Sequence, residues 1–332
     1  MANPPTILER CLCERLARVQ AQLAARQVEG LLISDSALLY WLGTTNSPLL
    51  LVTNEGGTEL SPTQTSAHLG KLGQARVGFD VSLTASQLVF LQEMAPAVRW
   101  IPLGEELASV RSVKDAVELA LLRQAACITR LAFEGVEREI AEDRSELDLL
   151  HCATATLLAE GGQGFSFDPS IASGPRSCQL WAGTTLRKLQ LGEPVLIDLG
   201  IAFRGYHCDM ARTYIVGGRQ AALSTDWVTA LDAVEDALAQ MRAEVRPGAR
   251  CGELHAMAER LLARYGGLPH ALGHGIGLGV HERPRLSPGS PDILVPGMVI
   301  ALEPGIIFGA EAGIRREDVI IVTDDGCEGL TS

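Results

Sequence analysis

The sequence contains no apolar run approaching the roughly 20 residues that a membrane span requires. Its most apolar early stretch, residues 37–52, is broken by Gly43-Thr-Thr-Asn-Ser-Pro48. The opening Met-Ala-Asn-Pro-Pro has neither a basic start nor an apolar core, so no signal peptide is expected. These absences imply a soluble protein with no membrane partner. Positive charge is also scarce: 28 Lys and Arg against 40 Asp and Glu leave a net charge of −12, which repels a phosphate backbone and argues against a nucleic-acid partner. No C-x-x-C spacing recurs among the eight cysteines, Cys11, Cys13, Cys127, Cys152, Cys178, Cys208, Cys251 and Cys327, so a thiolate zinc site is not indicated. Scattered among apolar neighbours, they read as reduced thiols of a cytoplasmic protein. Low-complexity tracts are missing too, and with 47% apolar and 20% charged residues the chain has the composition of a packed globular protein.

What is present fits two domains, since 332 residues exceed the usual roughly 100–200 per domain. Residues 7–27 carry Leu8, Leu12, Leu16, Val19 and Leu23 at helical spacing, and Leu31-Leu-Ile33 then reads as a buried strand. Strands are expected at residues 49–53, 77–79 and 98–101, with helices at 63–72 and 84–93. This alternation predicts a small α/β domain over residues 1–105, without a glycine-rich phosphate loop and with a structural or oligomerisation role. Pro102-Leu-Gly104 reads as a boundary. Beyond it come helices over 114–136 and from Ser145, a good N-cap with Asp148 adding charge near the helix start, to Gly161-Gly162. Strand-like segments follow at 194–199 and 206–216. The order then recurs, with helices at 225–245 and 252–265 and further strands, which suggests an internal duplication.

The chemistry concentrates in those strand-rich parts. Val195-Leu-Ile-Asp198 is an apolar strand ending in a carboxylate, a charge that is costly unless paired or metal-bound. Asp209 is expected on a second strand, and a hairpin between the two would place both carboxylates on one side of a sheet. His274 lies in Gly273-His-Gly-Ile-Gly-Leu, where the glycines permit close backbone approach. Glu303 follows the apolar Met298-Val-Ile-Ala-Leu302 and precedes Pro304-Gly305, while Glu317 is expected to open the last strand. Four carboxylates and one imidazole drawn together repel one another when empty. Two divalent cations would neutralise them, and oxygen-rich ligation favours manganese, cobalt or zinc. In paired sites such ions lie about 3.5–4 Å apart and activate a shared water. Because the candidates all fall in strand-rich parts, a curved sheet backed by helices, α+β in class, would collect them on its concave face.

In these segments the sequence resembles the creatinase/prolidase/methionine-aminopeptidase superfamily, and most of all its Xaa-Pro dipeptidases and aminopeptidases. The resemblance rests on Leu-Ile-Asp198-Leu-Gly, Gly-Tyr-His-Cys-Asp209-Met-Ala-Arg-Thr, Gly-His274-Gly-Ile-Gly-Leu-Gly-Val-His281-Glu, Glu303-Pro-Gly, Arg315-Arg-Glu317-Asp and the closing Gly-Cys-Glu-Gly-Leu-Thr331. It implies a pita-bread catalytic domain over 110–332 and, more distantly, a creatinase-type cap domain over 1–105. It further implies that Asp209 and Glu317 bridge the metals, that Asp198 completes one shell, and that His274 and Glu303 complete the other. By the same resemblance Glu303 handles the proton of the attacking water, His281 contacts the substrate carbonyl, and Arg315 orients the Glu317 carboxylate. A homodimer is what such relatives suggest.

One segment departs from the pattern. Where the family has Ser-Gly-x-Asn-x-x-x-Pro-His, this chain reads Ser173-Gly-Pro-Arg-Ser-Cys-Gln-Leu-Trp181, so Arg176 stands for the asparagine and Trp181 for a catalytic histidine. An indole donates one hydrogen bond but cannot titrate. His207, two residues before Asp209, and His270, four before His274, are the imidazoles available to replace it in part. The leading expectation is a metallopeptidase cleaving the Xaa-Pro bond of short peptides. Dipeptidase is favoured over aminopeptidase because Arg176, Arg283 or Arg285 would meet a free substrate carboxylate. Two alternatives stand beside it: a pita-bread enzyme for a small non-peptide amide or metabolite, which Trp181 supports, and a binding protein that has lost catalysis.

Overall fold

Buried strands need neighbours on both sides, and Gly30–Ile33, with all four residues buried, has them. It pairs antiparallel with Leu49–Thr53 and parallel with Arg76–Phe79. Gly56–Leu60 and Arg99–Pro102 complete the two edges of a five-stranded sheet. The helices Ile7–Arg26, Ser36–Trp41, Pro62–Lys71, Ala85–Met94 and Gly104–Val110 punctuate it. The first is closed by a capping box between Thr6 and Glu9. The computed structural model describes residues 6–44 and 47–332, so the N-terminal Met-Ala-Asn-Pro-Pro and the Thr45-Asn46 pair in the early apolar stretch lie outside the described residues. This α/β assembly is the compact unit Met1–Arg111, and Ser112–Ser332 forms the second. The helix Gly104–Val110, following Pro102-Leu103, belongs to the first unit.

The second unit is built from two similar rounds. In the first, Ala116–Glu139 packs with Glu146–Ala159, whose N-cap Ser145 forms a capping box with Asp148. Against this pair lies the antiparallel sheet of Ser170–Ser173, Pro194–Asp198 and Ala211–Ile215, with Ile128, Phe133, Leu149, Ile171, Val195 and Ile197 in the shared core. A smaller sheet joins Gly164–Phe165, Ile201–Phe203 and Tyr206–His207. In the second round, Thr225–Glu244 and Cys251–Leu261 pack on a five-stranded antiparallel sheet. Its strand order is Glu282–Leu286, Gly273–Gly275, Val299–Leu302, Asp318–Val322 and Cys327–Gly329. Leu238, Met241, Leu254, Leu272, Ile300 and Ile320 fill that core. The rounds are stitched together where Glu317 N donates to Ala211 O at 2.9 Å and Thr213 Oγ1 donates to Arg315 O at 3.1 Å. No helix among the described residues is long and apolar enough to cross a membrane, and no disulfide joins any of the eight cysteines.

Two expectations about strands need correction. Asp209 is not on a strand, because the chain leaves ladder geometry after Tyr206–His207 and re-enters it only at Ala211–Ile215. Nor does Glu317 open the last strand: Asp318–Val322 pairs onward with Cys327–Gly329. Both differences arise from very short strands, whose two or three residues leave little periodic signal.

Close backbone approach fixes the link that carries Asp209. A Cβ on Gly200 would lie 1.7 Å from the Cys208 carbonyl oxygen, so any side chain must push this crossing apart. Gly200→Ala is expected to destabilise the protein by about 3 kcal/mol, at the upper end of overpacking costs. Urea denaturation monitored by circular dichroism would show it, and an unchanged midpoint would contradict the tight crossing.

Candidate metal centre

Each of the five expected ligands is delivered by a different turn of the fold. Asp198 ends the buried strand Pro194–Asp198, opposite Ala211 on one side and Ser170 on the other. Asp209 comes from the link just before Ala211, and Glu317 is drawn to the same place by its bond to the Ala211 carbonyl. His274 sits mid-strand between two neighbours. Alanine could not replace the glycines that flank it: a Cβ on Gly273 would meet Ala301 O at 2.0 Å and one on Gly275 would meet Arg283 O at 2.1 Å. Glu303 extends past Val299–Leu302 and is fixed by its N–H to Leu272 O at 2.8 Å.

The structure brings all five into one cavity of about 580 Å³. Asp209, His274 and Glu317, all buried, each offer a ligand atom within 4.8 Å of the others. His274 Nδ1 lies 3.0 Å from Gly275 O. With Nδ1 donating there, Nε2 keeps its lone pair and faces Asp209 Oδ2 at 3.7 Å and Glu303 Oε1 at 3.8 Å. Asp198 and Glu303 meet through Arg315, which donates to Asp198 Oδ2 at 2.6 Å and lies 3.5 Å from Glu303 Oε2.

Electrostatics within the cluster are those of a cation site. Burial raises the carboxyl pKa of Asp198, and the Arg315 charge opposes it. Asp209 and Glu317 stand well above the ordinary range, first through burial and then through repulsion, from Asp198 and Glu303 on Asp209 and from Asp209, Glu303 and Asp198 on Glu317. Glu303 is pushed by burial to about 7, with Arg315 opposing. Burial lowers His270 and His274 to about 4, which keeps both imidazoles neutral. One oxygen each of Asp198, Asp209 and Glu317 is buried with no hydrogen-bond partner. Orphaned buried carboxylate oxygens are costly, and three of them in the cavity that also holds the neutral His274 imidazole fit a divalent cation.

The remaining expected residues divide. His281, exposed, lines the cavity with its ring edge-on to His274, centroids 4.4 Å apart. Trp181 and Arg285 also line it. Arg315 does not hold Glu317 as the resemblance implies. The antiparallel pairing of Gly305–Phe308 with Ala312–Arg315 sets Arg315 opposite Gly305, next to Glu303, and its guanidinium is directed to Asp198 and Glu303 instead. Arg176 is absent from the cavity lining: it is bound to Glu146 and to the carbonyls of Ala182 and Gly183, at 2.6 and 2.7 Å. Arg283 is paired with Asp292 at 2.6 Å. His207 is likewise outside the cavity lining, because the irregular backbone after it defeats the alternation that would have aligned it with Asp209. His270 does line the cavity, with Nδ1 3.6 Å from Glu303 Oε2.

Arg212 was not singled out from the sequence, although it lies in the Asp209 motif. Buried, it donates to Glu317 O and Asp318 Oδ1, each at 2.5 Å, and to Thr331 O at 3.0 Å, holding the backbone of the Glu317 segment. Its position in that motif was the available signal.

Residues 120–324 match metallopeptidase family M24. Over 344 aligned residues the chain is 27% identical to the Xaa-Pro dipeptidase of Pyrococcus horikoshii, covering 96% of this chain and 97% of that protein. A solved Xaa-Pro dipeptidase from Bacillus anthracis superposes with a TM-score of 0.88 at 25% identity, covering 97% of this chain and 98% of the other. Dipeptidase PepE from Mycobacterium ulcerans gives a TM-score of 0.87 at 26% identity, over 97% and 96% of the two chains.

Proposed function

The chain belongs to metallopeptidase family M24, and from that premise we propose that it hydrolyses the Xaa-Pro bond of short peptides with two divalent cations, as a dipeptidase rather than an aminopeptidase. The mixed helix-and-sheet fold is the pita-bread type that the resemblance led us to expect. The observation that carries the two-cation reading is the set of orphaned oxygens on Asp198, Asp209 and Glu317. Asp209 and Glu317 would bridge, Asp198 would complete one ion's shell, and His274 and Glu303 the other's. When bound, such cations polarise a carbonyl and make water nucleophilic at neutral pH. The first unit takes the role of a creatinase-type cap domain. A homodimer in the cytoplasm, with manganese, cobalt or zinc, completes the proposal on the resemblance and the oxygen-rich donor set.

The protein's own groups then have distinct tasks. Glu303, lining the cavity beside His274 and Arg315, is the carboxylate placed to handle a proton of the attacking water. His281, exposed beside His274, presents a hydrogen-bond donor to a substrate carbonyl. Arg315 holds Asp198 and Glu303 in position. Arg285 is the cavity-lining guanidinium for a free substrate carboxylate, and Arg176, committed elsewhere, is withdrawn from that role.

The test is turnover of Ala-Pro, Leu-Pro and Met-Pro by protein stripped of metal and resupplied with manganese, cobalt or zinc. Metal-dependent cleavage, with Ala-Pro preferred over Ala-Pro-Ala, is the expected result. Trp181, which cannot titrate, favours a second reading in which the substrate is a small non-peptide amide. Silence toward every Xaa-Pro peptide at verified two-metal occupancy would select that reading.

A further inference from the structure

His281 stands on the short link, residues 276–281, between the strands Gly273–Gly275 and Glu282–Leu286. Gly277 and Gly279 leave that link thin in side chains and free in backbone conformation. His281 itself is exposed, and among the described residues no hydrogen bond or ion pair fixes its imidazole, which meets only the ring of His274 edge-on. A donor aimed at one carbonyl oxygen must be held to within about 0.5 Å. The hold on this ring therefore has to come through its backbone.

A buried ion pair lies against that backbone. Lys114, just ahead of the helix Ala116–Glu139, is anchored by its N–H to Gly297 O at 2.8 Å. Its side chain has no exposed area, and Nζ donates to Glu282 Oε2 at 3.2 Å and to Ser112 O at 3.3 Å. The Glu282 side chain is 4% exposed, and its other oxygen accepts the Gly279 N–H at 2.9 Å. Both partners press on the link: a Cβ on Gly277 would lie 2.7 Å from Glu282 Oε2 and 3.0 Å from Lys114 Cε. An enclosed ion pair seldom adds stability over apolar residues of the same volume, since two charges must leave water, but neither charge can move away from the other without cost. It is thus better suited to fixing an arrangement than to strengthening a fold. Glu282 lines the metal cavity beside His281, whereas Lys114 is absent from that lining. We propose that Lys114 is a positioning residue for hydrolysis: through Glu282 it fixes the glycine-bearing link and so holds the His281 imidazole where the substrate carbonyl arrives. The inference rests on the peptidase reading above.

The experiment is a double-mutant cycle on the metal-reloaded full chain with Ala-Pro as substrate. His281→Ala should lower kcat by about 100-fold, the usual cost of removing one oxyanion donor. Lys114→Met keeps the length of the side chain and removes its charge, and it should lower kcat by about 10-fold or more with KM within about 2-fold, as a displaced donor would. Glu282→Gln, which keeps an acceptor for Gly279, should act in the same direction. In the His281→Ala background each should cost less than about 2-fold, because the ring they place is gone. Equal losses in both backgrounds overturn the proposal, since a damaged fold or a lost metal slows both alike. Unfolding of both variants also overturns it, because the pair would then hold the fold rather than the ring. A second readout is the His281 ring signal in NMR spectra of the zinc-loaded full chain labelled in histidine, identified by its absence from His281→Ala. Edge-on contact with His274 moves that signal away from the position of a free histidine, and Lys114→Met should return it toward that position. An unmoved signal overturns the positioning. If the parent cleaves no Xaa-Pro peptide, the peptidase reading fails by itself, and the ring signal still decides whether Lys114 holds His281.

Discussion

Replacing Asp209 or Glu317 by alanine is expected to release metal and abolish hydrolysis together, with kcat/KM falling by roughly 10⁴-fold or more, a loss of about 5.5 kcal/mol of transition-state stabilisation. These two carboxylates are singled out because each is buried, each has an oxygen without a partner, and both share the compact ligand set with His274. Asp198 differs, since Arg315 already neutralises one of its oxygens. Elemental analysis after dialysis would give the metal content and circular dichroism the fold. Folding should survive the change. Removing one of four repelling acids relieves the metal-free cluster, so the metal-free variants should melt no lower than the metal-free parent at pH 8. Full occupancy in either variant would contradict the bridging assignment, whereas loss of metal in an unfolded variant would leave the burial of the cluster, not its ligation, as the cause.

Four of the five candidate ligands carry a local signal in the sequence, and the family motifs are what join them and Asp209 into one set. Asp198 ends an apolar strand, His274 is set among glycines, Glu303 is followed by Pro304-Gly305, and Glu317 precedes an apolar run. The long helices were legible for a similar reason, as the apolar spacing of Ala116–Glu139 and the Ser145 cap show. Partner choice was not legible, because it depends on contacts between distant parts of the chain. Arg315 reaches Asp198, 117 residues away, rather than its neighbour Glu317, since the hairpin with Gly305–Phe308 decides where its side chain lies. Arg176 reads as a free cation for a substrate carboxylate until Glu146, 30 residues earlier, is found beneath it. His207 was placed by strand alternation in a segment where only two residues are strand. Local signals and family motifs thus point to candidate side chains, and tertiary pairing decides what each of them holds.

Metal loading at pH 8 is expected to raise the unfolding temperature by about 8–16 °C per filled site. Cation at a thousand times its Kd stabilises by about 4 kcal/mol, and each kcal/mol shifts a domain of this size by about 2–4 °C. The gap should widen with pH, for a reason contained in the cluster. Burial, the largest cause, raises Glu303 to about 7 and Asp209 and Glu317 well above their usual values. The metal-free folded protein therefore keeps protons that the unfolded chain releases above roughly pH 4.5. This contribution to stability is fully present below the unfolded pKa and is lost as pH rises through the folded one. His270 and His274, lowered to about 4 by burial, act with the opposite sign. Their contribution is present above the unfolded value of roughly 6.5 and lost as pH falls toward 4. The two effects oppose each other between about pH 4 and 6.5, and above that window the carboxyl groups act alone. Glu303 by itself should cost the metal-free protein roughly 1 kcal/mol between pH 6.5 and 8.5, with Asp209 and Glu317 adding in the same direction. Cation binding needs those protons gone, so its apparent affinity increases over the same range. Calorimetric scans at pH 6.5, 7.5 and 8.5, with chelator or with manganese, cobalt or zinc, would measure both trends. A metal-free transition that climbs over this interval would mean that these acids are not buried together as found, and a gap that stays constant would mean that the cation binds elsewhere.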